Sequence, residues 1–169
     1  MINKEKYDEY IESLLNAARL TTKENSVLIN FNIEEEVCTN TVEFIQQDGT
    51  KDTLKKASFI CDDEFYKEFL EKFVLAYYNS MVVAVSDSID MNADNKYTYR
   101  IITDDNDLMR IDGITLEYAN YLMKLVKTDE ERTKKTLTTN EKGNVTFLYT
   151  LFLISAIGMV IIATALLLG

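Results

Sequence analysis

The chain has 169 residues, enough for one domain of ordinary size and a further segment. It carries 28 Asp and Glu against 18 Lys and Arg, a net charge of -10, and it contains no histidine, tryptophan or proline. Without histidine, Ser-His-Asp and Cys-His nucleophile pairs and His-containing zinc sites are excluded, and the acidic charge argues against a protein that binds a nucleic-acid backbone.

The chain is predicted to open with an amphipathic helix. Apolar residues recur at helical spacing from Tyr7 to Ala18, Asn3 is placed to cap the helix, and the pattern continues to about Leu20. Over residues 26–33 apolar and polar residues then alternate, which is typical of a half-buried strand.

A hairpin follows this first strand. A second strand is predicted around Thr41 to Gln46, and Asp48-Gly49 is a favourable turn that leads into a third strand around Thr53 to Cys61. Leu54 is out of phase with the apolar residues after it, so this third strand is expected to contain a bulge.

A second helix is predicted to start at Asp62, because acidic side chains complement the free N–H groups at a helix start. Its apolar stripe continues to Tyr77. The run from Met81 to Val85 is apolar on both faces, which predicts a central strand that is covered on two sides.

The last soluble elements are two strands and a helix. Tyr97 to Ile101 form one predicted strand, and Leu108 to Ile111 continue it or pair with it. Thr115 is a predicted cap of a third helix, which has an apolar stripe from Tyr118 to Val126.

The fold class that follows is α+β, with a small antiparallel sheet of five or six strands and three helices. The order of elements is α-β-β-β-α-β-β-(β)-α, followed by one C-terminal transmembrane helix. Over residues 3–127 this order resembles that of type III secretion chaperones and related chaperone-like domains. The resemblance is one of element order alone and implies a protein that binds segments of other proteins.

The transmembrane helix is predicted from the composition of the C-terminal tail. Val145 to Leu168 are 24 residues without a charge, and 14 of them are Leu, Ile, Val or Phe. As a helix rising about 1.5 Å per residue, they would reach roughly 36 Å and cross a bilayer core of about 30 Å. The predicted membrane-anchor positions are Val145, Phe147, Leu151, Ile154, Gly158, Ile161 and Leu168.

Three segments are therefore expected: an acidic α+β module at 1–127, a polar stalk at 128–143 and a transmembrane anchor at 144–169. Within the anchor, Gly158 and Ala165 lie seven residues apart without a small-xxx-small pair, which favours a helix surrounded by lipid. The alternative is a helix that packs against the membrane span of a partner.

The topology is predicted from basic residues near the span, which remain on the cytoplasmic side of a membrane. The basic flank consists of Lys127, Arg132, Lys134, Lys135 and Lys142. We therefore expect a single-pass membrane protein with a cytoplasmic N-terminal module, and the N-terminal residues show no signal-peptide pattern. Cys38 and Cys61 would then be in a reducing compartment, as free and buried thiols.

One segment begins like a calcium-binding loop, Asp90-x-Asn92-x-Asp94. Its sixth position is Asn95 instead of Gly and its twelfth is Ile101 instead of Glu, so it is interpreted as a polar loop. The acidic residues 104–107 are interpreted as a hairpin corner, with a weak cation site as the alternative.

No cofactor, metal ligand or catalytic residue is predicted. The five glycines are too far apart in the sequence for a phosphate-binding loop. Most of the ten tyrosines and eight phenylalanines fall on core stripes, while Tyr77, Tyr78, Tyr118 and Tyr121 are expected between core and solvent. A binding surface made of surplus aromatic residues is the alternative interpretation.

Three functions are compatible with these features. The first is a membrane-tethered, non-catalytic protein-interaction module, such as an adaptor, regulator or accessory subunit of a membrane complex. The second is an immunity or antitoxin-like protein that neutralises a basic toxin at the membrane. The third is a membrane-bound enzyme that uses carboxylates. The expected partners are a protein and the membrane, without nucleic acid, and self-association of the chain is left open.

Overall fold

The computed structural model of the chain describes residues 3–22, 24–81, 85–103 and 106–131. These residues form an α+β fold with a six-stranded mixed sheet and three helices. The first half contains helix α1 and three strands, α1 Tyr7–Ala18, β1 Ser26–Glu34, β2 Val37–Ile45 and β3 Lys51–Ile60.

The second half contains two helices and three further strands. Helix α2 starts as a π-helix at Phe65–Leu70 and continues as an α-helix at Glu71–Ser80. The remaining elements are β4 Ser86–Met91, β5 Tyr97–Ile102, β6 Asp107–Ile114 and helix α3 at 116–131.

The strand order in the sheet is β3-β2-β1-β6-β5-β4. The three strands of each half form an antiparallel meander, and the two meanders meet at β1 and β6, which run parallel with Ile29 opposite Met109. The prediction of an antiparallel sheet is therefore wrong at its centre. A strand's own sequence pattern does not record which strand lies beside it, so the sequence gives no sign of this pairing.

The hydrophobic core lies between the helices and one face of the sheet. Alternate residues of β1 from Val27 to Ile33 point into it and are at most 4% exposed. Phe31 packs edge-on against Phe69 and Phe73 of α2, with ring centroids 5.8 and 5.2 Å apart. Burial of one phenylalanine side chain stabilises the fold by about 2–3 kcal/mol, so this aromatic packing fixes α2 on the sheet.

The predicted bulge in β3 is confirmed. Val42 lies opposite Lys55 and Glu43 lies opposite Thr53, so Leu54 is the extra residue between two regular pairs. Leu54 is 51% exposed, which explains why it does not fit the apolar alternation of the rest of the strand.

The strand predicted from Met81 to Val85 is wrong at its two ends and stays a prediction for residues 82–84. Both end residues lie outside the strands, residues 82–84 lie outside the described residues, and β4 begins at Ser86 on the edge of the sheet. Met81 and Val85 pack partly buried against the core. An apolar run signals burial, and the two described residues of this run are partly buried without belonging to a strand.

The prediction of Asn3 as a side-chain cap is also wrong. A 3-10 turn at Lys4–Lys6 precedes α1, and Asn3 contributes its backbone carbonyl, which accepts a hydrogen bond from the Lys6 N–H at 3.0 Å. No side-chain cap bond forms there. The helix ends at Ala18 instead of Leu20.

The chain divides into two compact units, Met1–Lys127 and Thr128–Gly169. The predicted span and most of the predicted stalk lie outside the described residues, so both stay predictions. Within the described ranges, no helix combines the length and the apolar character that a membrane crossing requires.

Candidate functional site

A groove lined by tyrosine rings lies between α2 and α3, at the end of β6. Its volume is about 330 Å³. We call it the tyrosine groove, and its lining residues are Asp63, Tyr66, Lys67, Glu71, Gly113, Ile114, Thr115, Tyr118 and Tyr121.

One wall of the groove is the π-helical start of α2. Asp62 caps this helix, since its Oδ1 accepts a hydrogen bond from the Phe65 N–H at 2.8 Å, as the acidic sequence predicted. In the wide turn that follows, the Tyr66 carbonyl accepts the Glu71 N–H and also the Tyr118 hydroxyl at 3.2 Å. The π-helical turn therefore ties α2 to α3, and such turns are frequent at functional sites.

The floor of the groove is the end of β6, where the strand makes a tight approach to β1. Gly113 adopts φ +85°, and a Cβ at this position would lie 2.1 Å from the Ile33 carbonyl oxygen. Thr115 then caps α3 as predicted, because its Oγ1 accepts the Tyr118 N–H at 3.2 Å. The glycine and the cap together bring Tyr118 to the groove.

The three tyrosine rings of the groove contact one another. Tyr66 and Tyr118 are edge to face with centroids 4.7 Å apart, and Tyr118 stacks on Tyr121 with centroids 6.0 Å apart. The Tyr121 hydroxyl donates to Glu71 Oε2 at 3.1 Å, while the residue remains 43% exposed. The rings are thus oriented before any ligand arrives, and the outer one is open to solvent.

The groove tyrosines are held in the neutral form. Burial, reinforced by the nearby Glu71 carboxylate, raises the pKa of Tyr118 above its usual value. The pKa of Tyr66 is raised by burial and by its hydrogen bond with Cys61, and burial also raises the pKa of the Cys61 thiol. Neutral phenols and a protonated thiol offer stacking faces and hydrogen bonds, which suit binding by contact.

The segment that begins like a calcium loop forms the hairpin between β4 and β5. The Asp90 carboxylate accepts a hydrogen bond from Arg100 Nη1 at 2.6 Å, and the Asn92 amide donates to Thr98 Oγ1 at 2.8 Å. Asp94 adopts φ +67° in the turn. Among the described residues, no three or more Cys, Asp or Glu side chains lie close enough together to hold a metal ion.

Of the residues predicted to determine membrane topology, the described part of the chain contains Lys127, which is exposed on α3 and does not line the groove. The other four basic positions and all seven anchor positions lie outside the described residues. Asp104 and Asp105 of the acidic cluster also lie outside them. The predictions for these positions therefore stay predictions.

The four tyrosines that were predicted to lie between core and solvent differ in how exposed they are. Tyr77 is fully buried and donates its hydroxyl to the Leu108 carbonyl at 3.1 Å, which confirms its place on the apolar stripe and not between core and solvent. Tyr78 and Tyr118 lie at the boundary as predicted, and Tyr121 is exposed.

Tyr66 is the groove residue that sequence reasoning missed. It lies three residues before Phe69 and four before Leu70, so the 3.6-residue period places it on the apolar stripe as one more core residue and does not reveal its contact with Tyr118. The signal that could have found it is its place directly after the acidic helix start at residues 62–64.

In comparisons with known proteins, no protein-family model, curated protein or solved structure matches the chain. The resemblance in element order to secretion chaperones therefore stays an expectation.

Proposed function

We propose that this chain is a membrane-tethered, non-catalytic protein-interaction module whose acidic domain faces the cytoplasm and binds a partner protein at the tyrosine groove. The observation that carries the proposal is the exposed Tyr121 ring, stacked on Tyr118 and hydrogen-bonded to Glu71. An aromatic side chain held in a binding-ready orientation loses little conformational freedom when a partner covers it.

The surroundings of Tyr121 extend the same surface. The carboxylates of Asp63 and Glu71 and the ammonium of Lys67 lie at the walls of the groove. A central aromatic contact with polar groups around it is the usual composition of a protein interface.

The binding experiment uses the full chain, purified from its native membrane together with what it binds. Tyr121→Ala removes the exposed ring without removing a core contact, and we expect it to weaken partner binding by roughly 30-fold, as for a hot-spot aromatic residue. Met91→Ala is the matched control, since Met91 is 68% exposed but lies on the edge strand β4.

Loss of the partner with Tyr121→Ala and its retention with Met91→Ala would support the proposal. Equal retention by both variants would show that the groove is not the binding surface. Turnover of a small molecule by the chain, without any protein partner, would instead support a carboxylate-dependent enzyme.

The membrane tether is tested separately. We expect the full chain to stay with membranes under alkaline extraction and a chain truncated after residue 142 to be released. In intact cells, external protease should leave residues 1–142 uncut, because the basic flank favours a cytoplasmic module. Digestion of the module from outside would contradict the proposed orientation.

Neutralisation of a basic protein is the second candidate function. It is favoured by the two carboxylates among the groove residues, where Lys67 is the single cation of the lining. Binding of a basic partner should then be fast and should slow markedly as salt is raised. A partner whose association rate is insensitive to salt would favour the adaptor function instead.

A further inference from the structure

The face of the sheet that points away from the core is uncovered by any helix of the described residues. Alternation along β1 places Leu28, Asn30 and Asn32 on this face, opposite the core residues between them. The neighbouring strands continue it with Thr41 of β2 and Arg110 of β6, each paired with Asn30. We call this the open sheet face.

The charges of the open sheet face are nearly balanced, although the chain is strongly acidic. Its cationic side chains, with Lys96 at one end, are Lys51, Lys56, Lys96, Arg100 and Arg110. Its anionic side chains in the described residues, with Glu35 beside Lys96, are Glu34, Glu35, Glu43, Asp90, Asp107 and Asp112. Most of the acidic excess of the molecule therefore lies elsewhere.

These charges are held in a fixed array. Arg100 donates to Asp90 at 2.6 Å from Nη1 and to Asp107 at 2.9 Å from Nε. Arg110 Nη2 donates to Asp112 at 3.1 Å, and Asp112 also accepts from the Thr98 hydroxyl at 2.5 Å. Because the side chains are already ordered, a surface that covers them would lose little side-chain entropy.

The open sheet face has the size of a protein interface. Six strands about 4.8 Å apart extend about 25 Å across, and strands of average length here extend about 25 Å along their axes. The projected area is then roughly 600 Å², and side chains increase the accessible area towards the roughly 800 Å² per partner that a standard interface buries.

We propose that the open sheet face binds the same face of a second copy of this chain. Copies with a net charge of -10 repel one another over most of their surface, and a face with five cations and six anions is where that repulsion is weakest. Under a two-fold axis, cations of one copy can lie opposite anions of the other. This inference concerns a different surface from the tyrosine groove and does not depend on the proposed function.

The experiment measures the mass of the full chain in detergent by sedimentation, over a range of protein concentrations. Thr41→Arg adds a bulky positive charge to each copy on strand β2, beside the middle of the face, and we expect it to weaken dimerisation at least tenfold. Asn120→Arg makes the same charge change at an exposed position of α3 and should leave the dimer intact. Ser58→Arg, exposed on β3 of the open sheet face, is a second variant with little risk to folding.

Near-UV circular dichroism establishes that each variant is folded. A dimeric parent and Asn120→Arg variant, with weakened Thr41→Arg and Ser58→Arg variants, would support the proposal. A monomeric parent chain would overturn it, because the open sheet face would then be only solvated. A dimer that survives both open-face substitutions would also overturn it and would assign dimerisation to the groove or to the tail.

Discussion

Gly113 has the tightest backbone approach among the glycines of the described residues. Its φ of +85° strains any other residue, and an added Cβ would meet the Ile33 carbonyl oxygen. We predict that Gly113→Ala lowers the free energy of unfolding by about 3–5 kcal/mol, because strain and backbone displacement add. Urea unfolding followed by near-UV circular dichroism measures the loss.

Gly49 provides the matched control for this substitution. Its φ is +83°, close to that of Gly113, but no atom lies within 4 Å of the point where a Cβ would stand in this turn. Gly49→Ala should therefore lower the free energy of unfolding by about 1 kcal/mol, from strain alone. Equal losses at the two glycines would show that the backbone around Ile33 can yield to an added methyl group.

At the scale of helices, alanine substitutions can compare the two predicted caps that form with the predicted Asn3 cap that does not. Asp62 and Thr115 each accept a backbone N–H at the start of α2 and α3, whereas the Asn3 side chain makes no cap bond. Alanine at Asp62 or Thr115 should lower the free energy of unfolding by about 1 kcal/mol.

Asn3→Ala should leave stability unchanged within the error of the same urea titration. A loss at Asn3 equal to that at Asp62 would contradict the observed start of α1. The comparison shows how much stability comes from the cap hydrogen bond itself, since Asn3 is a residue type that often caps helices but makes no such bond here.

Local chemistry explains which elements could be predicted. The Leu54 bulge and the caps at Asp62 and Thr115 depend on nearest neighbours in the sequence, and all three are confirmed. The Met81 to Val85 run depended on hydrophobicity alone, which indicates burial without specifying the backbone. Strand β4, with the polar sequence Ser86–Met91, lacked the apolar alternation that would have revealed it.

The groove illustrates the same limit. Tyr118 and Tyr121 could be selected from their spacing, but their contact with Tyr66 depends on the π-helical turn of α2 and on the position of α3. A helical period of 3.6 residues places Tyr66 on the core stripe with Phe69 and Leu70, so the sequence pattern does not predict its contact with Tyr118. Sites assembled from separate elements require the tertiary structure.

At the scale of the whole molecule, buried tyrosines make stability sensitive to alkaline pH. Burial raises the pKa of Tyr10 to about 12 and raises the pKa of Tyr77 and Tyr99 further, above the ordinary value of 10.0. Since the folded chain keeps these phenols protonated, their contribution to stability should be constant below pH 10 and should be lost as pH rises from 10 through the folded pKa values.

Between pH 10 and about 12, where all three are still protonated in the folded chain, these groups together lower the free energy of unfolding by about 4 kcal/mol for each pH unit. We therefore predict cooperative unfolding in strong alkali, with phenolate absorbance rising together with the loss of near-UV circular dichroism. Gradual tyrosine ionisation below pH 10, without unfolding, would contradict the burial of these side chains.

The acidic module is also expected to fold without its tail. The core residues of the described structure, from Tyr10 to Val126, all lie before the polar stalk predicted from the sequence. A fragment of residues 1–131 should therefore be soluble without detergent and should unfold in one cooperative transition. Aggregation of this fragment, or a non-cooperative transition, would place part of the core beyond residue 131.

The parallel pairing of β1 with β6 determines when the sheet can be completed. Ile29 and Met109 are about 80 positions apart, and closing a loop of that length loses chain entropy equivalent to about 4 kcal/mol. During synthesis, the edge of β1 that pairs with β6 has no partner strand until β6 leaves the ribosome. We therefore expect the nascent chain to be open to wrong strand pairing during that interval, and repulsion between its acidic side chains to oppose association with other copies.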